Sequence, residues 1–235
     1  MPIKSVAFDL AIYLLIFGII LIIIGTFIVV QYLKVEKVAR PFLLALFLYF
    51  FLMALVNLIQ MYIYFVDPSP FASQGIYHNY FAVILIFFAP LALIYQIEKT
   101  YFKNKLLAKY HLATLMIIII NIVFLVQTIP SAVTDPTFID NFVMNDYTIN
   151  IVNWGIMVVA ICGAFLYLGL KSSGRYRLWS FVIFFGWGGN QIINGVGQLS
   201  PYSTLVQLMT PIFIIKIAAA IVTAFGFIKL YSLRY

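Results

Sequence analysis

Lys216 is the residue whose type and place most directly imply chemistry. It stands in the last hydrophobic segment, Leu205 to Ile228, about a dozen residues from either end. At ~1.5 Å of rise per helical residue, its backbone falls near the midplane of a hydrocarbon core about 30 Å thick. An ammonium group at that depth costs about 3 kcal/mol or more. Reaching a headgroup from there, over ~15 Å, exceeds the length of the side chain. No other Lys or Arg lies inside a hydrophobic segment, and no carboxylate shares this depth. Asp9 belongs near the outer end of the first segment and Glu98 at the inner end of the third. Burial without an anion disfavours the charged form of an amine. A neutral amine is a nucleophile, and lysine is the usual partner of a carbonyl ligand in a Schiff base. Two other roles stay open. The amine could hydrogen-bond neighbouring amides as a packing element, or hold an anionic lipid or small acid.

The sixth hydrophobic segment carries the other polar groups that could line a site. Trp187, Asn190 or Gln191, Asn194 and Gln198 recur at helical spacing and so share one face. In a membrane helix such a face turns toward other helices or a cavity. Gly186, Gly188 and Gly189 flank it, which permits close helix packing or leaves room beside the Trp ring for a ligand. Asn57, Gln60, Asn121 and Asn153 add amides at mid-depth in other segments. Hydrogen bonds between helices are the alternative use of all these amides. Cys162 reads as a small apolar side chain, and His78 and His111 fall on opposite sides of the membrane, so no metal site is expected. No Ser/His/Asp set gathers on one side, and an enzyme is not expected.

The elements that position these groups follow from composition. The chain has 235 residues, 65% hydrophobic and 9% charged, with the apolar residues in long runs rather than amphipathic stripes. This implies an all-α polytopic membrane protein, forming one domain over residues 1–235. Seven segments are expected as helices, because lipid offers backbone groups no partner. They are Ala7–Leu33, Pro41–Val66, Tyr80–Ile97, Tyr110–Ile129, Thr148–Leu170, Leu178–Leu199 and Leu205–Ile228. The first is too long for a signal-peptide core and is kept as a span. Basic residues occupy alternate connections: Lys34, Lys37 and Arg40; Lys99, Lys103, Lys105 and Lys109; Lys171, Arg175 and Arg177; then Lys229 and Arg234 in the tail. By the positive-inside rule the N-terminus lies outside and the C-terminus inside a cell membrane, with Lys4 a minor exception. The net charge of +7 thus reflects orientation, not a nucleic-acid surface. Residues 131–146 form the longest outer connection, with Asp135, Asp140 and Asp146 and room for a short interfacial helix at Phe138, Phe142 and Met144. No internal repeat points to a transporter.

A seven-helix bundle with one lysine midway along its last helix resembles the microbial (type 1) rhodopsins. Trp154 in the fifth segment, Pro90 followed by leucines in the third, and Trp187 in the sixth are similar to the residues packing around the chromophore in that family. The resemblance implies retinal as cofactor on Lys216, with Trp154, Trp187 and Pro90 about it; Asn190 and Asn194, on the polar face of the sixth segment, are expected to line the same ligand. It also implies a photosensor that signals to a membrane partner or within a homo-oligomer. The charged positions depart from the family. Counted from Pro90, the counterion place holds Ile84, the arginine place Phe81 and the proton-donor place Tyr95; Ile212 stands where an aspartate precedes the lysine. Pumping is therefore not expected, and an unprotonated Schiff base absorbing in the near ultraviolet is. The alternative is a chromophore-free receptor, scaffold or transport protein that binds an anionic lipid or small ligand at the same residues.

Overall fold

The computed structural model describes residues 3–66 except 38, 81–102 except 83 and 87, 110–134, 138–199 and 202–232, with side chains over a narrower set. These residues form α1 (Ile3–Lys34), α2 (Arg40–Val66), α3 (Leu91–Tyr101), α4 (Leu112–Thr134), α5 (Phe138–Lys171), α6 (Gly174–Leu199) and α7 (Tyr202–Ser232), and no strand is found among them. Among the described residues, four stretches are long and apolar enough to cross a membrane: Phe8–Lys34, Arg40–Tyr62, Ile84–Tyr101 and Leu208–Ser232. The helices pack in chain order, each on the next, and α7 packs back on α1, so the ring closes.

Two boundaries differ from the sequence expectation. The third segment is helical on both sides of Pro90 but not through it. The Ala89 amide bonds Leu85 O and the Ile94 amide bonds Pro90 O, both at 2.9 Å. Proline has no N–H to continue the ladder, and α3 restarts with Pro90 at its N-cap. The expected 131–146 connection is largely helix: α4 runs on to Thr134 and α5 begins at Phe138. No Gly or Pro interrupts 138–154, and Asp140 stands in the first turn of α5, where the helix dipole favours negative charge.

Glycines set the tightest seams. A Cβ on Gly186 would lie 2.7 Å from Thr223 Oγ1 and 3.0 Å from its backbone N. One on Gly226 would lie 2.8 Å from Ile183 Cγ1. Backbone approach of this kind is how membrane helices associate without a hydrophobic driving force. At the α1–α2 seam Gly18 lies against Leu58, at 3.2 Å by the same measure. Gly174 takes φ +57, the left-handed conformation that glycine adopts without steric cost, and turns the chain from α5 into α6.

One end of the ring is tied by aromatic rings. Phe42 stacks on Tyr231 at 4.5 Å and meets Phe227 and Tyr101, while Phe165 meets both Tyr101 and Phe227. These five rings gather the start of α2 and the ends of α3, α5 and α7. The basic residues Lys34, Arg40, Lys99, Lys171, Arg175, Arg177 and Lys229 therefore share that end. Glu98 joins α3 to α4 there. Its buried carboxylate accepts the Ala113 amide at 2.9 Å and the Thr114 hydroxyl at 2.6 Å. It thereby satisfies donors that the first turn of any helix leaves open. His111, at φ +48, brings Nδ1 to 3.7 Å from the same carboxylate.

Candidate functional site

The side chains of α7 divide cleanly around its axis. Ile214, Ala218, Ile221, Phe225 and Lys229 are exposed; Phe213, Ala220, Thr223 and Phe227 are buried. Lys216 is partly buried and falls at the centre of the inward stripe, with Phe213 and Ala220 a turn to either side. It lies fourteen residues from Tyr202 and sixteen from Ser232, the ends of α7. Its Nζ sits 5.6 Å from the centroid of the Phe213 ring, a cation–π distance. Among the described residues no carboxylate pairs with it. Asp9 is exposed near the start of α1, and Glu98 is engaged at the far end of the ring.

The seams show what shares its depth. Gly186 opposite Thr223 and Gly226 opposite Ile183 fix an antiparallel register between α6 and α7. Carried outward, that register sets Lys216 level with Ile193, between Asn190 and Asn194. On the other side Phe213 meets Phe17 of α1 at 6.4 Å, and Gly18 lies against Leu58 of α2. Asn57 thus stands close to the same level. It is buried and gives one hydrogen bond to Met53 O at 2.6 Å, a local bond within α2. Asn121 is likewise buried, in α4.

Of the expected lining residues, Trp187 is 2% exposed and packs against Tyr49 of α2, their centroids 4.8 Å apart. Its indole Nε1 has no hydrogen-bond partner among the described residues, nor does Ser180 Oγ two turns along the same face of α6. Gln191, 5% exposed, occupies the inward position of the stripe; Asn190 is partly buried on its α7-facing flank. The glycines divide in use: Gly186 serves close packing, whereas among the described residues a Cβ on Gly188 would touch Cys162 Sγ alone, at 3.6 Å, and one on Gly189 would meet nothing within 4 Å. Pro90 is buried at the break before α3, a backbone role in the first instance. Trp154 and Asn194 lie within α5 and α6, with side chains outside the described set.

Phe213, Tyr13 and Tyr49 join the site without having been singled out in the sequence. Tyr13 stacks on Phe213 at 5.0 Å and 14°, and its hydroxyl bonds Thr210 Oγ1 at 2.5 Å. Phe213 had a legible signal, standing three residues before the lysine on its own helical face. Tyr13 and Tyr49 had none, because only ring closure brings their helices to α6 and α7. The site thus offers one amine on an inward face, the Phe213 ring beside it and amides near its depth. A neutral amine in such a place adds to a carbonyl, and a charged one pairs with an anion. Among the described residues no three His, Cys, Asp or Glu side chains cluster as metal ligands would. Comparison with known proteins finds no matching family model, no matching curated protein and no matching solved structure.

Proposed function

We propose that this chain is a seven-helix membrane protein, N-terminus outside and C-terminus inside, whose Lys216 takes up an apolar carbonyl ligand within the bundle. The observation that carries the reading is the inward amine of Lys216, set against the Phe213 ring with no carboxylate beside it among the described residues. In such a site Nζ adds to the carbonyl carbon, the carbonyl oxygen leaves as water, and a carbon–nitrogen double bond remains. Retinal is the aldehyde that the family resemblance implies. Its apolar body suits the Phe213 ring beside the amine, and Trp187 and Tyr49 pack together nearly two turns further in. Without an anion at the amine, ion pumping has no charged partner to work through, and sensing by helix movement toward a membrane partner or second copy is the role proposed.

Purified protein given all-trans retinal is expected to yield a borohydride-stable adduct on Lys216 and absorption in the near ultraviolet that moves to the visible on acidification. A spectrum of free retinal alone, with no adduct on Lys216, overturns the covalent reading.

A second reading is favoured by Asn57 and Asn190 standing near the level of the amine. Lysine and amides together suit a carboxylate or phosphate head, so the bundle is then a receptor for an anionic lipid or small acid. Lys216→Arg separates the two, since it keeps a cation for an anionic head but forms no carbonyl adduct.

A further inference from the structure

We infer that the ligand of Lys216 comes from the lipid rather than from water, entering through the seam between α1 and α7. This deepens the reading proposed above and rests on it. Two seams border the inward stripe of α7, and they are built differently. Toward α6 the helices meet backbone to side chain at Gly186 and Gly226, which closes that seam over the half of α7 from Thr223 to Gly226, seven to ten residues inward of Lys216. Toward α1, in the outer half of the helix, contact is made by rings and one hydrogen bond. Phe213 has Tyr13 stacked upon it and Phe17 at its edge, and carries the Lys216 amine 5.6 Å from its centroid. A single ring, that of Phe213, therefore links the amine to the residues at the mouth of this seam.

That contact lies on the outer surface of the bundle. Thr210 and Pro211 are exposed, and the Tyr13–Thr210 hydrogen bond is exposed as well. In hydrocarbon a hydroxyl without a partner is costly, and here each of the two finds one in the other. Together they form a latch that a polar ligand head can replace as it passes. Pro211 gives α7 a place to bend beside it, because it leaves the carbonyl of Gln207 without its helical donor. Turning of the Phe213 ring then clears the way to Nζ. The ligand class is accordingly a lipid-dissolved amphiphile with a carbonyl head, not a water-soluble metabolite.

The test reads the amine directly and needs no knowledge of the natural ligand. Protein in phosphatidylcholine vesicles is treated with cyanoborohydride and either dodecanal, which partitions into lipid, or pyridoxal phosphate, which does not cross it. The amine condenses with the aldehyde, water leaves, and hydride from the cyanoborohydride reduces the product to a stable secondary amine, located by peptide mass spectrometry. Dodecanal is expected to label Lys216 and pyridoxal phosphate to spare it. Tyr13→Phe, which removes only the hydroxyl, should be labelled about fivefold faster, the factor for losing one neutral hydrogen bond. Phe213→Ala should be faster still. Labelling by pyridoxal phosphate, or unaltered rates in both variants, overturns the lateral route while leaving the site intact. Absence of labelling at Lys216 by either aldehyde overturns the route and the site together.

Discussion

A lysine held inside apolar surroundings is a cost that the fold bears for some other reason. Its amine has the face of Phe213 and, among the described residues, no anion. Replacing it with methionine, similar in length and without a polar head, is expected to stabilise the protein by about 1–3 kcal/mol, the range for a polar group buried without a hydrogen bond. Thermal unfolding in detergent micelles reads this directly. A loss of stability in Lys216→Met shows instead that the amine has a bonding partner that the fold needs. The lysine was legible in the sequence because it is the sole basic residue within a long apolar run. Its inward direction was not, since depth says nothing about face. The Phe213 and Tyr13 surroundings were less legible still: the Tyr13–Thr210 bond joins residues 197 apart, a pairing that no local pattern encodes.

At the level of helices, small residues and proline decide what hydrophobic runs alone do not. The sequence located the helical segments because apolar length is a strong signal, yet it left open whether the glycines of the sixth made room or made contact. Gly186 makes contact and Gly189 does not. Gly186→Ala forces a methyl against Thr223 Oγ1 and the Thr223 backbone, and should destabilise the α6–α7 pair by about 1–3 kcal/mol. Gly163, which meets nothing within 4 Å, is the control. Gly163→Ala should be neutral or gain up to about 1 kcal/mol from helix propensity. Equal losses in the two variants, measured by unfolding in micelles, dispose of the register on which the depth of Lys216 depends. The α3–α4 joint escaped the sequence reading altogether. Glu98 was assigned a depth but no partner, because its bonds to Ala113 and Thr114 cross a connection to the next helix. Glu98→Ala should cost about 1–3 kcal/mol through two donors left unmet, with faster hydrogen exchange at the Ala113 amide. Unchanged exchange at that amide means the carboxylate does not hold the start of α4.

For the molecule as a whole, the ring of helices and the sidedness of charge make one combined statement about crossing. The rings of Phe42, Tyr101, Phe165 and Phe227 place Lys34, Arg40, Lys99, Lys171, Arg175, Arg177 and Lys229 at one end. If every helix crosses, the α1–α2 and α5–α6 connections are separated by four crossings and face the same compartment. The weakest member is the third: its stretch, Ile84–Tyr101, has a mean hydropathy of 1.3, against 3.0, 2.6 and 2.2 for the other three long stretches, and Pro90 breaks it. Should it fail to cross, the parity changes and the two connections part. Single cysteines at Lys37 and at Ser173, in a Cys162→Ala background, read this parity with a membrane-impermeant maleimide. Both are expected to react from the cytoplasmic side only, since basic connections are retained there. Reaction of the two from opposite sides removes one crossing from α2–α5. Reaction of both from outside inverts the whole bundle, so that the α1–α7 mouth at Tyr13 and Thr210 opens to the inner leaflet instead of the outer.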